Sequence, residues 1–258
     1  MSSVEMGGRP FLPLGPIASP LDHSGSTEYG PYTVEATQRF VWGTRYLMWD
    51  GRVYKYAYAS AAVYSYHGAR NSLDAALGLT VAPDNTAVAG SRFINPTLAS
   101  RVVDDLVGGL AVMYNIGTSI DNTCTRGIIG NEASATTTKI YLDYPLDTAV
   151  TTSDYIEVYE NPYSSLSHVT EAYSAWMGVP AKSAAASRNL WLQTWGPALV
   201  SGGEDIDDPS ADSRVLVWGS NCVLYKLATK TSGQVAGYIL NQGSANIAGP
   251  EIFLMCST

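Results

Sequence analysis

Charge is scarce in this chain: only 15% of its 258 residues are Asp, Glu, Lys or Arg, against roughly 25% in an ordinary soluble domain. Helical bundles and coiled coils need charged outer faces, so the shortage argues against both. Bases are scarcer than acids, 15 against 23. The formal charge of −8, with a pI near 4.8, is the wrong sign for coating nucleic acid phosphates or anionic lipid. Cysteine is limited to Cys124, Cys222 and Cys256, an odd number with no CxxC pair. They read as free thiols of a protein assembled in a reducing cytoplasm. No run approaches the roughly 18 to 20 apolar residues of a membrane span. Pro10, Pro13, Pro16 and Pro20 break the first apolar stretch, which excludes a secretory signal there.

Motifs of catalysis are missing as well: no GxGxxG after a strand, no GxxxxGK[ST], no HExxH and no GxSxG. His23, His67 and His168 have no ligand spacing and read as solvated or hydrogen-bonded loop residues. Asp143 with Asp147, or Asp154 with Glu157, are the carboxylate pairs a glycan hydrolase would need. Strand and loop carboxylates of an acidic protein are usually solvated, so the chain reads as a non-enzyme without cofactor. The one dense charged feature is Glu204–Asp212, five carboxylates in nine residues. Its spacing is not the DxDxDG pattern and Pro209 interrupts it, so it reads as a solvated loop. Asp205, Asp207, Asp208 and Asp212 are the ligands that a Ca²⁺ site there would use.

What is present is apolar and aromatic. Hydrophobic residues make up 46%, mean hydropathy is zero, and Tyr is 17 against 4 Phe and 6 Trp. Tyrosine suits half-buried sheet faces and interfaces. Arg outnumbers Lys ten to five, and Arg45, Arg52, Arg126 and Arg214 lie in or beside predicted strands, which fits contacts to carboxylates across an interface.

Five of the 13 prolines fall in the first 31 residues. They forbid helix and central strand there and predict an extended arm over 1–39. Its Phe11, Leu12, Leu14 and Ile17 pack either on the arm's own domain or on a neighbouring subunit. Asp50-Gly51 separates Thr44–Trp49 from Arg52–Ala59 and predicts a β-hairpin with a two-residue type I′ turn. Tyr54, Tyr56 and Tyr58 then share one sheet face, either capped by another element or offered as a contact surface. With Arg52 they join the four arm residues as interface candidates. Further strands are predicted at 110–116, 123–129, 138–142, 155–159, 190–195, 214–218, 222–228, 235–240 and 252–256. One helix is predicted, Leu98–Leu106, capped by Thr97 and stopped by Gly108-Gly109; His168–Met177 stays undecided. The fold class is mainly β, with sandwich or barrel parts.

The stretch Gly43-Thr44 with Asp50-Gly-Arg-Val-Tyr-Lys-Tyr-Ala57 resembles the opening of the small β capsid decoration, or cement, proteins of tailed bacteriophages. Gly178–Ala181, Leu192–Ala198, Arg214–Val217, Gln234–Tyr238 and Ile252–Leu254 follow the strand order of the small barrel in that family. The resemblance implies a discontinuous β-barrel domain over 40–78 and 166–258, with a second β domain inserted at 79–165. It also implies a virion structural protein, likened to a homotrimer on the outside of the major capsid protein shell and assembled in the host cytoplasm. Nucleic acid, membrane and cofactor play no part. The other reading is a tail, head-fibre or receptor-binding component whose Trp191, Trp195 and Trp218 stack on a host glycan.

Overall fold

The computed structural model describes residues 4–6, 9–11, 30–71, 80–81, 83–114, 124–168, 175–203, 206, 214–227, 233–241 and 249–256. Leu12, Leu14, Ile17 and His23 lie outside the described residues, as do Asp205, Asp207, Asp208 and Asp212 of the acidic loop. The chain divides into two compact units, Met1–Phe11 with Leu73–Pro162 and Leu12–Ser72 with Tyr163–Thr258.

In chain order, β1 (Val4–Met6) and β2 (Arg9–Phe11) pair as an antiparallel ladder in which Pro10 faces Glu5. A two-stranded ladder is all edge, where a missing N–H is tolerated. Next come β3 (Arg45–Leu47), β4 (Val53–Ala59) and β5 (Ala69–Asn71). The middle of the chain holds β6 (Thr80–Val81), β7 (Phe93–Ile94), β8 (Leu110–Tyr114), β9 (Cys124–Asn131), β10 (Ile140–Leu142) and β11 (Tyr155–Tyr159). The remainder is β12 (Leu166–Ser167), β13 (Trp176–Pro180), β14 (Arg188–Leu199), β15 (Val215–Trp218), β16 (Leu224–Lys226), β17 (Val235–Asn241) and β18 (Glu251–Met255). The fold is mainly β, as the strand pattern predicted.

The unit around Leu73–Pro162 is a six-stranded antiparallel sheet in the order β6-β11-β8-β9-β10-β7. Alternation decides its buried face: Ile156 lies opposite Met113 and Val158 opposite Ala111, and all four are buried with Ile128, Ile140 and Leu142. The predicted helix is not formed. Leu98–Leu106 is a chain of turns in which Ser100 and Asp104 take positive φ, 60° and 62°, a conformation an α-helix excludes. Buried Asn131 holds the loop: its Oδ1 accepts from the Leu106 N–H at 2.9 Å and its Nδ2 donates to the Val102 carbonyl at 2.8 Å. A partner about 30 residues downstream in the chain therefore overrides the local helical spacing.

In the other unit, β4, β14, β13, β5 and β12 close on themselves, because β14 pairs β4 on one side and β13 on the other, while β12 completes the ring by pairing β5 and β4. Closure leaves no free edge within the ring. One face of its strands carries Ala57, Ala59, Ala69, Leu166, Leu190 and Leu192. On the opposite face of β4 and β14, Tyr54, Tyr56 and Trp191 form a second cluster, covered by Phe40, Trp42 and Tyr46 of the preceding segment. Tyr54 and Tyr56 are only 1% and 2% exposed. They belong to this unit's own core and offer no contact surface; Tyr58 is half-buried beside Trp42.

The hairpin forms around Asp50-Gly51, but with a three-residue loop. Leu47 faces Val53 and the Met48 N–H donates to the Arg52 carbonyl, which leaves Trp49–Gly51 as the loop; the Gly51 N–H donates to the Met48 carbonyl, and of the three only Gly51 has positive φ, 86°. A type I′ turn requires positive φ at both central residues; this is the three-residue alternative, with glycine in the left-handed position.

Beyond the ring, Trp195–Leu199 of β14 pairs with β18, and the sheet continues through β17 and β15 to β16. Its inner face buries Ile252, Leu254, Ala236, Leu216 and Trp218, with Trp218 stacked on Trp176 at 4.9 Å. Cys222 and Cys256 are free thiols here. Burial pushes Cys222 up to about 11 and Cys256 up to about 12; the phenols of Tyr46 and Tyr54 are raised by the same cause. As pH climbs past the ordinary thiol value of about 8.5, the unfolded chain loses these protons before the folded one, so stability falls. We expect the melting temperature to drop between about pH 9 and 11, and Cys222 and Cys256 to resist iodoacetamide at pH 8 until the protein is denatured. Labelling of both thiols in the native protein at the denatured rate would contradict this.

Candidate functional site

An antiparallel sheet with one solvated face normally alternates apolar-in with polar-out. The sheet built on β14, β18, β17 and β15 does not. Register places Pro197 opposite Phe253, Phe253 opposite Tyr238, and Tyr238 opposite Val215. One apolar row thus crosses four neighbouring strands on the face opposite Ile252, Leu254 and Leu216. Trp195 and Met255 pair in the adjoining row. The rings support one another: Tyr238 lies parallel to Phe253, centroids 5.3 Å apart, and Trp195 meets Phe253 edge-on at the same distance. Val215, Tyr238, Leu240 and Met255 are each 37–42% exposed. A contiguous array of aromatic and aliphatic groups is suited to contact with another macromolecule. Glu251, which faces Leu199 at the margin, accepts from the Asn241 amide.

Gly237 shapes this surface from within β17. It stands opposite Leu254 with φ 154°, and a Cβ there would come within 1.9 Å of the Phe253 carbonyl oxygen. The close approach of β17 to β18, and with it the Tyr238–Phe253 stack, needs a residue without a side chain.

Residues singled out in the sequence are placed as follows. Arg52 sits at the start of β4, its Nε donating to Asp50 Oδ2 at 2.7 Å and its Nη1 to the Tyr32 hydroxyl at 3.0 Å. Trp191 and Trp218 are buried in the two cores at 1% and 2% exposure, so neither can stack on a glycan; Trp195 alone of the three reaches the surface. The carboxylate pairs are engaged by their own unit. Asp143 accepts from the Gly127 N–H, Asp147 pairs with Arg126 at 2.6 Å, Asp154 accepts from Thr151, and Glu157 accepts from the hydroxyls of Tyr114 and Tyr159. His67 and His168 meet ring to ring, centroids 5.1 Å apart, with Tyr64 edge-on to His168 at 4.9 Å. Burial and the neighbouring His67 hold His168 below the ordinary histidine value. Among the described residues no group of three His, Cys, Asp or Glu side chains is arranged to hold a metal ion.

Sequence reading missed the apolar row. In Val235–Asn241 and Glu251–Met255 apolar residues occupy both parities, which reads as a strand buried on both faces. Only the register shows that one of those faces is open. Comparison of the chain with family models, with curated proteins and with solved structures finds no match.

Proposed function

We propose that the protein is a virion structural protein, a capsid decoration or cement protein that binds the outside of a major capsid protein shell and stabilises it. The observation that carries this reading is the apolar row Pro197–Phe253–Tyr238–Val215, exposed on a sheet whose other face is already a complete core. Burying such a row yields about 25 cal/mol per Å² of apolar surface removed from water, and its extension across four strands matches a broad subunit surface better than a small ligand. The family resemblance of Asp50–Ala57 and of the second-half strands supplies the kind of partner. The acidic net charge of −8 agrees with a place on the side of a shell facing away from packaged nucleic acid. Binding to the assembled shell alone would stabilise it by mass action.

The test mixes the purified full chain with undecorated shells. The expected result is stoichiometric co-sedimentation and a rise in shell melting temperature. Tyr238→Asp and Leu240→Asp, on exposed positions, should weaken binding at least tenfold while leaving the protein's own melting temperature within a few degrees. Absence of binding by the unaltered chain overturns the reading. Full binding by both variants overturns the assignment of the face.

A further inference from the structure

A cleft of about 300 Å³ opens beside the start of β4, lined by residues as far apart in sequence as Tyr32 and Leu199. It lies within the unit containing the closed ring. Acids outnumber bases in the chain, 23 to 15, yet the twelve residues of this lining include two cations, Arg52 and Lys182, and no carboxylate. Arg52 is ion-paired with Asp50, Nε to Oδ2 2.7 Å, so a second carboxylate would be received by its remaining guanidinium N–H groups and by Lys182.

Arg52 is held in one direction by its neighbours. Asp50 takes its Nε hydrogen and the Tyr32 hydroxyl accepts from Nη1, so the guanidinium is fixed in direction while its Nη2 amine has no part in these contacts. A planar guanidinium fixed from one side is fit to receive a carboxylate. Lys182, also in the lining, is exposed and adds a second cation.

The remaining groups suit a sugar ring. Tyr32 and Tyr66 line the cleft and are 53% and 54% exposed. Tyr66 stands at φ 70°, outside the usual range of a non-glycine residue, with its carbonyl accepting from the Ser201 N–H at 2.6 Å; such a conformation persists only where its surroundings enforce it. The Gln193 amide nitrogen donates to the carbonyls of Trp195, Gly196 and Pro197, and Ser65, whose hydroxyl lies 3.0 Å from that of Ser183, also lines the cleft. An acidic peptide would gain most from main-chain pairing at a free strand edge. None is available here, because Val179 and Pro180 of β13 already pair with Gln193 and Leu192 of β14, and β14 pairs with β4.

We infer that this cleft binds a carboxylate-bearing sugar residue, with Arg52 and Lys182 receiving the carboxylate and Tyr32 and Tyr66 flanking the ring. The volume is at the lower end for small-ligand sites, which fits a single residue of a glycan. Tyr238 and Leu240 do not line the cleft, so the shell-binding variants leave its lining intact, while Leu199, at the margin of the apolar row, borders both.

Calorimetric titration of the full chain tests it with trigalacturonate, its methyl ester, sialyllactose, lactose and a tri-glutamate peptide. The expected result is saturable binding of trigalacturonate or sialyllactose, which distinguishes a uronic from a sialic source. That binding should be at least tenfold tighter than to the matched neutral sugar and at least tenfold weaker in Lys182→Gln and in Arg52→Gln. Lys182 is exposed, so Lys182→Gln keeps the test decisive should Arg52→Gln fail to fold. Binding of neither acidic sugar, equal binding of the methyl ester or lactose, tighter binding of the peptide, or an unchanged affinity in Lys182→Gln overturns the inference.

Discussion

Gly237→Ala is expected to lower the unfolding free energy of the unit containing β17 by about 3 to 5 kcal/mol, the upper range for a single substitution. Two penalties combine. The first is steric: the added Cβ would lie 1.9 Å from the Phe253 carbonyl oxygen and 2.9 Å from its carbon. Both are backbone atoms of the paired strand, so relief requires β17 and β18 to separate. The second is conformational, since φ 154° is a region that residues with a side chain rarely enter, at a cost of about 1 to 3 kcal/mol. Gly51→Ala separates the two. Its φ is 86°, but nothing lies within 4 Å of the added atom, so only the conformational penalty of about 1 to 2 kcal/mol applies. Tryptophan fluorescence in a urea titration reads this unit alone, because all six tryptophans lie in Leu12–Ser72 and Tyr163–Thr258. Equal midpoints for the two variants would show that β17 and β18 tolerate the insertion and that the outer apolar row is not rigidly held.

The strands themselves were legible because their signal is local. Tyr155–Tyr159 alternates cleanly, and the Asp50-Gly51 turn marks its hairpin to the residue, although the loop takes three residues where the dipeptide suggested two. Leu98–Leu106 was misread for the converse reason: its spacing and its Thr97 are helical, while the decisive partner, Asn131, lies on β9. The closed ring depends on one strand, β14, serving two partners along twelve residues. Nothing in Arg188–Leu199 announces where the change from β4 to β18 occurs. Arg52 reads in the sequence only as an interface residue, because Asp50 is near it in sequence whereas Tyr32 reaches it, and Lys182 and Gln193 join it in one lining, only through the fold. A chain of net −8 sets two bases, Arg52 with its partner Asp50 and Lys182, along one cleft, which no composition count reveals.

The largest loss from a side-chain truncation is expected at Trp191. Its ring is 1% exposed and lies 5.1 Å from Tyr56, 5.4 Å from Tyr46 and 5.6 Å from Phe40, all tilted or edge-on. Trp→Ala in such a setting costs about 3 to 5 kcal/mol, because the surrounding rings close only part of the cavity. Edge-to-face pairs contribute a further 0.5 to 1.5 kcal/mol, roughly, each. The consequence reaches beyond the cavity. Phe40 and Tyr46 cover the tyrosine face of β4 by packing on Trp191, and the Tyr56 hydroxyl accepts from the Arg39 N–H. Removing the indole therefore loosens the covering segment as well as the core, exposing Tyr54 and Tyr56 as a second apolar surface. Trp191→Ala should shift the urea midpoint read by the five remaining tryptophans and make Arg39 and Arg45 susceptible to trypsin under native conditions, while Trp191→Phe keeps a ring in place and loses less than half as much. It should also weaken the acidic-sugar cleft, although Trp191 does not line it, because Tyr32 packs edge-on to Tyr54. A Trp191→Ala protein that keeps its unfolding free energy within about 1 kcal/mol of the unaltered chain and resists trypsin as that chain does would mean that the covering segment is held from elsewhere, with the main-chain bonds between Gly43, Thr44 and Tyr56 as the groups to change next.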